Sequence, residues 1–129
     1  MSKSNYLEDK VLDHALGTTA FSQPTSQYLA LHTADPGEAG TGAELSGTGY
    51  SRAAIDFNAA SSGTATGPTS VIEFTNSGGT SWTEVTHFGI WDAASGSNLL
   101  YYGSLTTSKT VAAGDTLRFT AASISISEG

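Results

Sequence analysis

Three histidines, His14, His32 and His87, are the side chains of this sequence best suited to metal binding or to proton transfer near neutral pH. Ligands on one helix or strand are normally about two to four residues apart, so that they project from the same face. The three histidines lack this spacing, and a metal site would require three separate elements to converge. We therefore interpret them as ordinary hydrogen-bonded or surface histidines, and we predict neither a metal site nor a cofactor.

Nucleophilic catalysis is not indicated either. The chain contains no cysteine, which excludes thiolate chemistry and cysteine-based metal sites. Its many serines could be combined with a histidine and an aspartate, but no G-x-S-x-G turn or other local signature singles out one serine as a nucleophile. The sequence therefore predicts a protein that is not an enzyme.

Acidic residues cluster on one stretch rich in Gly and Thr, which contains Asp35, Glu38 and Glu44. Carboxylate oxygens are good ligands for hard cations such as calcium, but this spacing does not match an EF-hand loop. Acids on loops are usually solvated, so the sequence leaves open whether this loop binds a cation.

Asp92 and Asp115 lie at strand ends, where an aspartate side chain typically caps a turn.

Four aromatic residues could form a platform for binding sugars: Trp82, Trp91, Tyr101 and Tyr102. Neighbouring side chains on a strand point to opposite faces, so Tyr101 and Tyr102 cannot both lie in the core of a simple sandwich. The same alternation separates Trp91 from Ile90. We therefore predict a sheet covered on both faces, by the core on one side and by a helix or a neighbouring subunit on the other.

The length and the charge narrow the class of protein. With 129 residues the chain is long enough for one domain with a real core, and we predict a single domain over residues 1–129. A net charge of −7 repels nucleic acids and anionic membranes, so neither is an expected partner. The sequence has no apolar run of about 20 residues and no signal-peptide pattern, which indicates a soluble, unsecreted protein.

The surface is expected to carry unusually little charge. Only 13% of the residues are charged, against about 25% in average domains. Neutral surfaces are typical of proteins covered by copies of themselves or by a large scaffold, because they pack without leaving unpaired charges. A β surface rich in Ser and Thr would have the same composition without any partner.

One amphipathic helix is predicted near the start, over residues 5–16. Ser4 is a good N-cap and Gly17 a good left-handed stop. Leu7, Val11 and Ala15 recur every four residues, and two further leucines widen this apolar stripe. The helix could cover the sandwich of its own chain or dock on a neighbouring subunit, and the sequence leaves both possibilities open.

The rest of the chain has the pattern of short antiparallel strands. We predict strands at residues 27–33, 50–58, 71–75, 85–91 and 99–105, and two final strands that contain Leu117 and Phe119, then Ile124 and Ile126. Long loops are predicted over residues 37–49 and 59–69, and a bulge or bend over residues 121–123. The pattern indicates a mainly β fold, an antiparallel β-sandwich of immunoglobulin-like or jelly-roll type with one N-terminal α-helix.

Four segments carry a resemblance that covers nearly the whole chain. They are YLEDKVLDHALG, QYLALHTADPGE, THFGIWDAASGSNLLYYGSL and VAAGDTLRF, and LALHTADP and FGIWDAASG are the most specific parts. In this order they resemble a group of short bacteriophage structural proteins that are commonly labelled tail-fibre-like. The chain is too short to hold the long repetitive shaft of a true fibre, so the resemblance implies a compact module of the virion.

The resemblance implies a non-enzymatic virion structural protein that decorates the capsid, collar or tail and is assembled in the host cytoplasm. Its expected partners are other virion proteins and further copies of itself in a homo-oligomer. The helix and the loop at residues 37–49 are the predicted attachments, and the candidate interface residues are Leu7, Val11, Leu12, Trp91 and Tyr102. The alternative is a receptor- or glycan-binding module for adsorption, with exposed aromatic residues that bind a host surface sugar.

Overall fold

The computed structural model describes residues 2–128, and this part of the chain forms one helix and nine strands. The helix is α1 (Asn5–Ala15). The strands are β1 (Ser2–Lys3), β2 (Tyr28–His32), β3 (Ala53–Ala54), β4 (Thr64–Gly67), β5 (Ile72–Thr75), β6 (Val85–Trp91), β7 (Leu99–Lys109), β8 (Thr116–Phe119) and β9 (Ile124–Ser127).

The strands form one large sheet and two small ones. The large sheet has the order β1-β7-β6-β2-β3, and the small sheets pair β4 with β9 and β5 with β8. Every strand pair is antiparallel. The predicted fold class, mainly β with antiparallel sheets and one N-terminal helix, is confirmed.

The three sheets share one hydrophobic core. Strands β2 and β6 of the large sheet contribute Leu31 and Ile90, while Phe74 of β5 and Phe119 of β8 meet edge to face at 6.0 Å between ring centroids. Ile126 of β9 closes the core from the third sheet. Because apolar side chains from facing sheets fill one common volume, the arrangement is that of a sandwich.

The large sheet also has an apolar cluster on its other face. Ala30 of β2, Trp91 of β6 and Leu99 of β7 pack together there, with Tyr102 against them. Tyr101, by contrast, packs against the main core. Both faces of this sheet carry buried side chains, but the loop after β2 covers part of the second face, where the sequence analysis expects a helix or a neighbouring subunit. The helix residue Leu7 packs on the main core instead.

The helix begins and ends where the sequence predicts. The Ser4 side chain accepts a hydrogen bond from Leu7 N–H (3.2 Å), and Gly17 has the positive φ of 79° that ends the helix. Leu7 is the one helical residue that is buried. Only a small part of the apolar stripe is therefore buried within the chain.

The strand predicted at residues 50–58 is wrong over most of its length. Only Ala53 and Ala54 pair there, opposite Leu29 and Tyr28. Residues 43–45 occupy the remaining edge of β2 instead, because Leu45 N–H donates to the Leu31 carbonyl and Thr33 N–H donates to the carbonyl of residue 43. Ile55, directly after this short strand, is buried in the main core.

The loop predicted at residues 59–69 contains a strand, β4, which is a second error. Its sequence, Thr-Ala-Thr-Gly, has no large apolar side chains, but it pairs with β9 along its whole length, from Thr64 opposite Ser127 to Gly67 opposite Ile124. The bend expected at residues 121–123 is confirmed, because Ala122 lies at φ 59° and the strands on either side pair in different small sheets.

Close packing on the second face makes Gly89 a sensitive position. A Cβ atom there would lie 2.9 Å from Leu99 Cδ1 and 2.9 Å from the Trp91 indole nitrogen, whereas nothing lies within 4 Å of a Cβ at Gly79. We expect Gly89→Ala to lower the free energy of unfolding by about 1–3 kcal/mol through overpacking. Gly79→Ala, the matched control, should change it by less than about 1 kcal/mol. Urea denaturation measures both, and equal effects would contradict this account.

Candidate functional site

An arginine clamp lies over the second face of the large sheet. The Arg52 guanidinium stacks over the Trp91 ring, 4.1 Å from its centroid. It donates to both carboxylate oxygens of Glu44, at 2.9 and 2.8 Å, and to the carbonyls of Ala93 and Gly96, at 2.9 and 3.0 Å. One side chain therefore joins the loop after β2, the segment before β3 and the turn between β6 and β7.

Glu44 is held as a carboxylate by this clamp. Burial alone would raise its pKa, but hydrogen bonds from Arg52 and from the Tyr50 hydroxyl (2.7 Å) hold the pKa below its ordinary value. Tyr50 also accepts from Leu31 N–H (3.0 Å), and burial and the neighbouring carboxylate raise the pKa of its hydroxyl. Both groups keep one protonation state near neutral pH, which suits a structural role rather than proton transfer.

His32 is fully buried beside the clamp. Its ring stacks on Trp91 with 10° between the planes. Its Nδ1 lies 2.8 Å from the Gly42 carbonyl, which can only accept, so Nδ1 carries the proton of the neutral ring. Nε2 is then free to accept from the Trp91 indole N–H at 3.4 Å. Burial is the main cause that lowers the pKa of His32, and the ring is therefore neutral near pH 7.

The residues considered for metal binding are not brought together. His32 lies opposite His87 in the pairing of β2 with β6, but His14 is on the helix, where its Nδ1 accepts from Phe21 N–H (3.0 Å). Asp35 caps the N–H of Gly37 at 2.8 Å. Glu38 is exposed and Glu44 belongs to the clamp. Within residues 2–128, no three His, Cys, Asp or Glu side chains form a group that could hold a metal ion.

The four candidate sugar-binding aromatics do not form a shared exposed platform. Trp82 and Trp91 are both buried, in different clusters, and Trp82 N–H donates to the Thr48 carbonyl (3.1 Å). Tyr101 packs on the main core, and its hydroxyl donates to Glu128 at 2.6 Å. Tyr102 is half-buried on the opposite face.

Asp92 caps its turn as predicted, because its side chain accepts a hydrogen bond from Asn98 N–H at 2.9 Å.

The candidate interface residues divide into covered and exposed members. Leu7 (5% exposed) and Trp91 (6%) are covered by the chain itself. Val11 and Leu12 are 38% and 56% exposed, and Leu16, one turn further on, is 76% exposed. We call Val11, Leu12 and Leu16 the outer helix face. That the five residues contact a partner stays a prediction. Val11 and Leu12 are its exposed members, and Tyr102 is half-buried.

A groove that the sequence analysis missed runs between the large sheet and the two small ones. It has a volume of about 520 Å³ and is lined by consecutive residues of β7 (103–107), by Lys109, and by residues of β8 and β9. Phe88, Leu117 and Phe119 form its floor. We call it the β7–β8 groove. Its walls come from β7, β8 and β9, which follow one another along the chain but pair in three different sheets, and the strand patterns do not show how these sheets face each other.

The one helix of the described chain, α1, is too short and too polar to cross a membrane. A family model described as podophage GP4 fiber I protein gp80 matches residues 2–127. No curated protein matches the chain.

The clamp should contribute measurably to stability. Arg52→Met leaves the Glu44 carboxylate partly buried without its partner, so we expect the free energy of unfolding to fall by about 3 kcal/mol. Adding Glu44→Gln should restore part of this loss, because the uncompensated charge is removed. Arg118→Met is the matched control, since Arg118 pairs with Glu73 at the exposed surface and such pairs contribute about 0–1 kcal/mol. Equal losses in the two single variants would contradict the assignment of the clamp.

The buried neutral His32 should make stability fall in acid. Its folded pKa lies below the ordinary value of 6.5, so the unfolded chain binds the proton more readily. The free energy of unfolding should therefore decrease as the pH falls below 6.5 and level off below the folded pKa. His32→Asn should be less stable at pH 7 and should lose this slope between pH 7 and 5, while His14→Asn should retain it. Urea titrations at several pH values test this, and an unchanged slope in His32→Asn would overturn it.

Proposed function

Because the chain belongs to the podophage GP4 fiber I protein gp80 family, we propose that it is a non-enzymatic module that attaches to neighbouring virion subunits through its outer helix face. A phage fibre protein is a structural component of the virion, and this coarser role follows from the family itself. The proposal adds the mode of attachment. We also propose that the protein decorates the particle at the capsid, collar or tail, and that it is assembled in the host cytoplasm.

The exposed apolar residues of α1 and of its C-cap carry the proposal. The large apolar side chains that are exposed in the described chain are Val11, Leu12, Leu16 and Val71. Val11 and Leu12 lie on α1, and Leu16 is its C-cap. Single exposed apolar residues are common on protein surfaces, but a cluster on one face supports a contact with another chain. Leu12 and Leu16 are one turn apart and therefore project together.

The helix is held firmly enough to present this face in a fixed orientation. Ser4 N–H donates to the Leu100 carbonyl (2.9 Å), the Ser4 hydroxyl donates to the Leu99 carbonyl, and Asn5 N–H donates to the Glu38 carbonyl (3.0 Å). At the other end of the helix, His14 accepts the hydrogen bond from Phe21 described above. An element that is already ordered loses little conformational entropy when it docks.

The composition supports assembly into a larger structure. The low content of charged residues leaves a surface dominated by Ser, Thr, Gly and Ala, which can be covered by a neighbour without burying unpaired charges. On this proposal the partners are other virion proteins and further copies of the chain. The alternative, a receptor- or glycan-binding adsorption module, has less support because both tryptophans are buried.

The test is incorporation of variants into phage particles. Leu12→Asp together with Leu16→Asp should reduce the number of copies per particle by more than about tenfold, because each buried leucine contributes about 1.5–3 kcal/mol to a contact. The fold should persist, since both side chains are exposed. Val71→Asp, at an exposed apolar residue outside the helix, is the matched control and should be incorporated normally.

Two measurements distinguish the outcomes. Quantitative mass spectrometry of purified particles gives the copy number, and thermal unfolding of the isolated variants shows whether they fold. Normal incorporation of the folded double variant would refute attachment through the outer helix face. Particles that lack the protein, remain intact and fail to adsorb to cells would favour the receptor-binding alternative.

A further inference from the structure

We propose that the outer helix face of one copy docks into the β7–β8 groove of a second copy, so that the chain assembles head to tail. This inference rests on the proposed function, because it names the partner of the same helix. It adds the surface on that partner that receives the helix. The argument comes from the charge, the size and the apolar content of the two surfaces.

The two surfaces are complementary in charge. The chain has five Lys and Arg residues against 12 Asp and Glu. Two of these five, Lys109 and Arg118, line the groove, and none of the described residues that line it is acidic. On the helix, Asp9 and Asp13 are one turn apart and flank the row formed by Leu12 and Leu16. In a chain with a net charge of −7, a groove with cations and no acidic lining residue repels an acidic helix less than an acidic surface would.

The groove cations are available for such a contact. Lys109 forms no ion pair with any residue between 2 and 128. Arg118 pairs with Glu73 at 3.0 Å, but its side chain is 60% exposed, so a further carboxylate can approach it from solvent. The helix acids are accessible as well, since Asp9 is exposed and Asp13 half-buried. New ion pairs can therefore form without breaking the core.

The dimensions of the two surfaces also agree. An 11-residue helix is about 16 Å long at 1.5 Å per residue. Residues 103–107 of β7, which form one wall of the groove, span at most about 17 Å. The groove volume of about 520 Å³ lies in the range of pockets that enclose several apolar groups. Leu105 of β7 lines the groove and is half-buried, so it gives the helix leucines an apolar side chain to cover.

The geometry of the contact would be heterologous, because the helix and the groove are different surfaces of one chain. Each copy then offers one helix and one groove, and such contacts build a ring if the rotation closes or a filament if it does not. A second helix cannot displace the chain's own α1 from its place, since Leu7 and Ser4 hold it on the parent domain. The contact is therefore an addition between folded copies and not an exchange of helices.

A charge-swap experiment tests this docking with the full chain at low ionic strength. Variant one carries Asp9→Lys and Asp13→Lys, and variant two carries Lys109→Glu. Sedimentation analysis should show that each variant alone self-associates at least about tenfold more weakly than wild type, because like charges then face each other. An equimolar mixture should recover association, since the lysine helix of variant one matches the acidic groove of variant two. The reverse pairing, the native helix of variant two in the native groove of variant one, should form as well.

The outcomes separate this inference from the proposed function. Glu84→Lys, at an exposed acid outside both surfaces, is the control and should self-associate at least as well as wild type. A wild-type chain that stays monomeric, or a mixture that fails to recover association, overturns the head-to-tail docking. If Leu12→Asp with Leu16→Asp still abolishes incorporation into particles in that case, the helix binds another virion protein and the proposed function stands. Thermal unfolding of both charge variants confirms that they fold.

Discussion

The stacked and hydrogen-bonded Arg52 is the interaction on which the second face of the large sheet depends. Its guanidinium is nearly covered, with a side-chain exposure of 5%, and it contacts Trp91, Glu44 and the turn after β6 at once. A planar group with fixed donors can satisfy two carboxylate oxygens and stack on an indole at the same time, which a lysine cannot do. Without this clamp, the loop after β2 would have fewer contacts to hold it over the sheet.

The clamp also gives structural roles to Glu44 and His32, two residues whose side chains could transfer protons. Glu44 accepts from Arg52 and Tyr50, and His32 is bound between Trp91 and the Gly42 carbonyl. Each polar group is used to hold one segment on another. Throughout the described chain, no buried side-chain nitrogen or oxygen lacks a hydrogen-bond partner. A fully satisfied polar network fixes a unique packing, because any other arrangement would leave buried groups unpaired.

The sequence predicted those features that depend on local patterns. The helix between Ser4 and Gly17 was predicted almost to the residue because its caps and its stripe lie within one segment. The strands at residues 85–91 and 99–105 were predicted because both segments are rich in β-branched, aromatic and aliphatic residues and a polar, Gly-containing connection separates them. The strand at residues 50–58 was too long in the prediction, since the competition from residues 43–45 for the edge of β2 is not visible locally. β4 was missed because its short side chains carry no periodic signal.

The candidate site was harder to predict than the fold for the same reason. Leu12 was correctly placed on the helix, but the pattern could not say which apolar residues the chain itself would cover, and Leu7 is buried while Leu16 is exposed. Arg52 lies eight residues from Glu44 but 39 residues from Trp91 in the sequence, so the clamp exists only after the sheet has formed. The β7–β8 groove likewise forms only where strands of three different sheets meet. Non-local contacts of this kind determine the surface that a partner meets.

The exposed leucines, Leu12 and Leu16, contribute little to the stability of the isolated chain, because they are not buried in it. An apolar side chain left in water forgoes the free energy that its burial would contribute, about 1.5–3 kcal/mol for a leucine. The core formed by the three sheets already stabilises the fold without Leu12 and Leu16, so these residues are free to act between chains. A contact made by one helix is modest, but a virion repeats each contact, and many modest contacts in one assembly give a stable attachment. A rigid, well-satisfied domain with one unsatisfied helix face is suited to such repetition, because every copy presents the same surface in the same orientation.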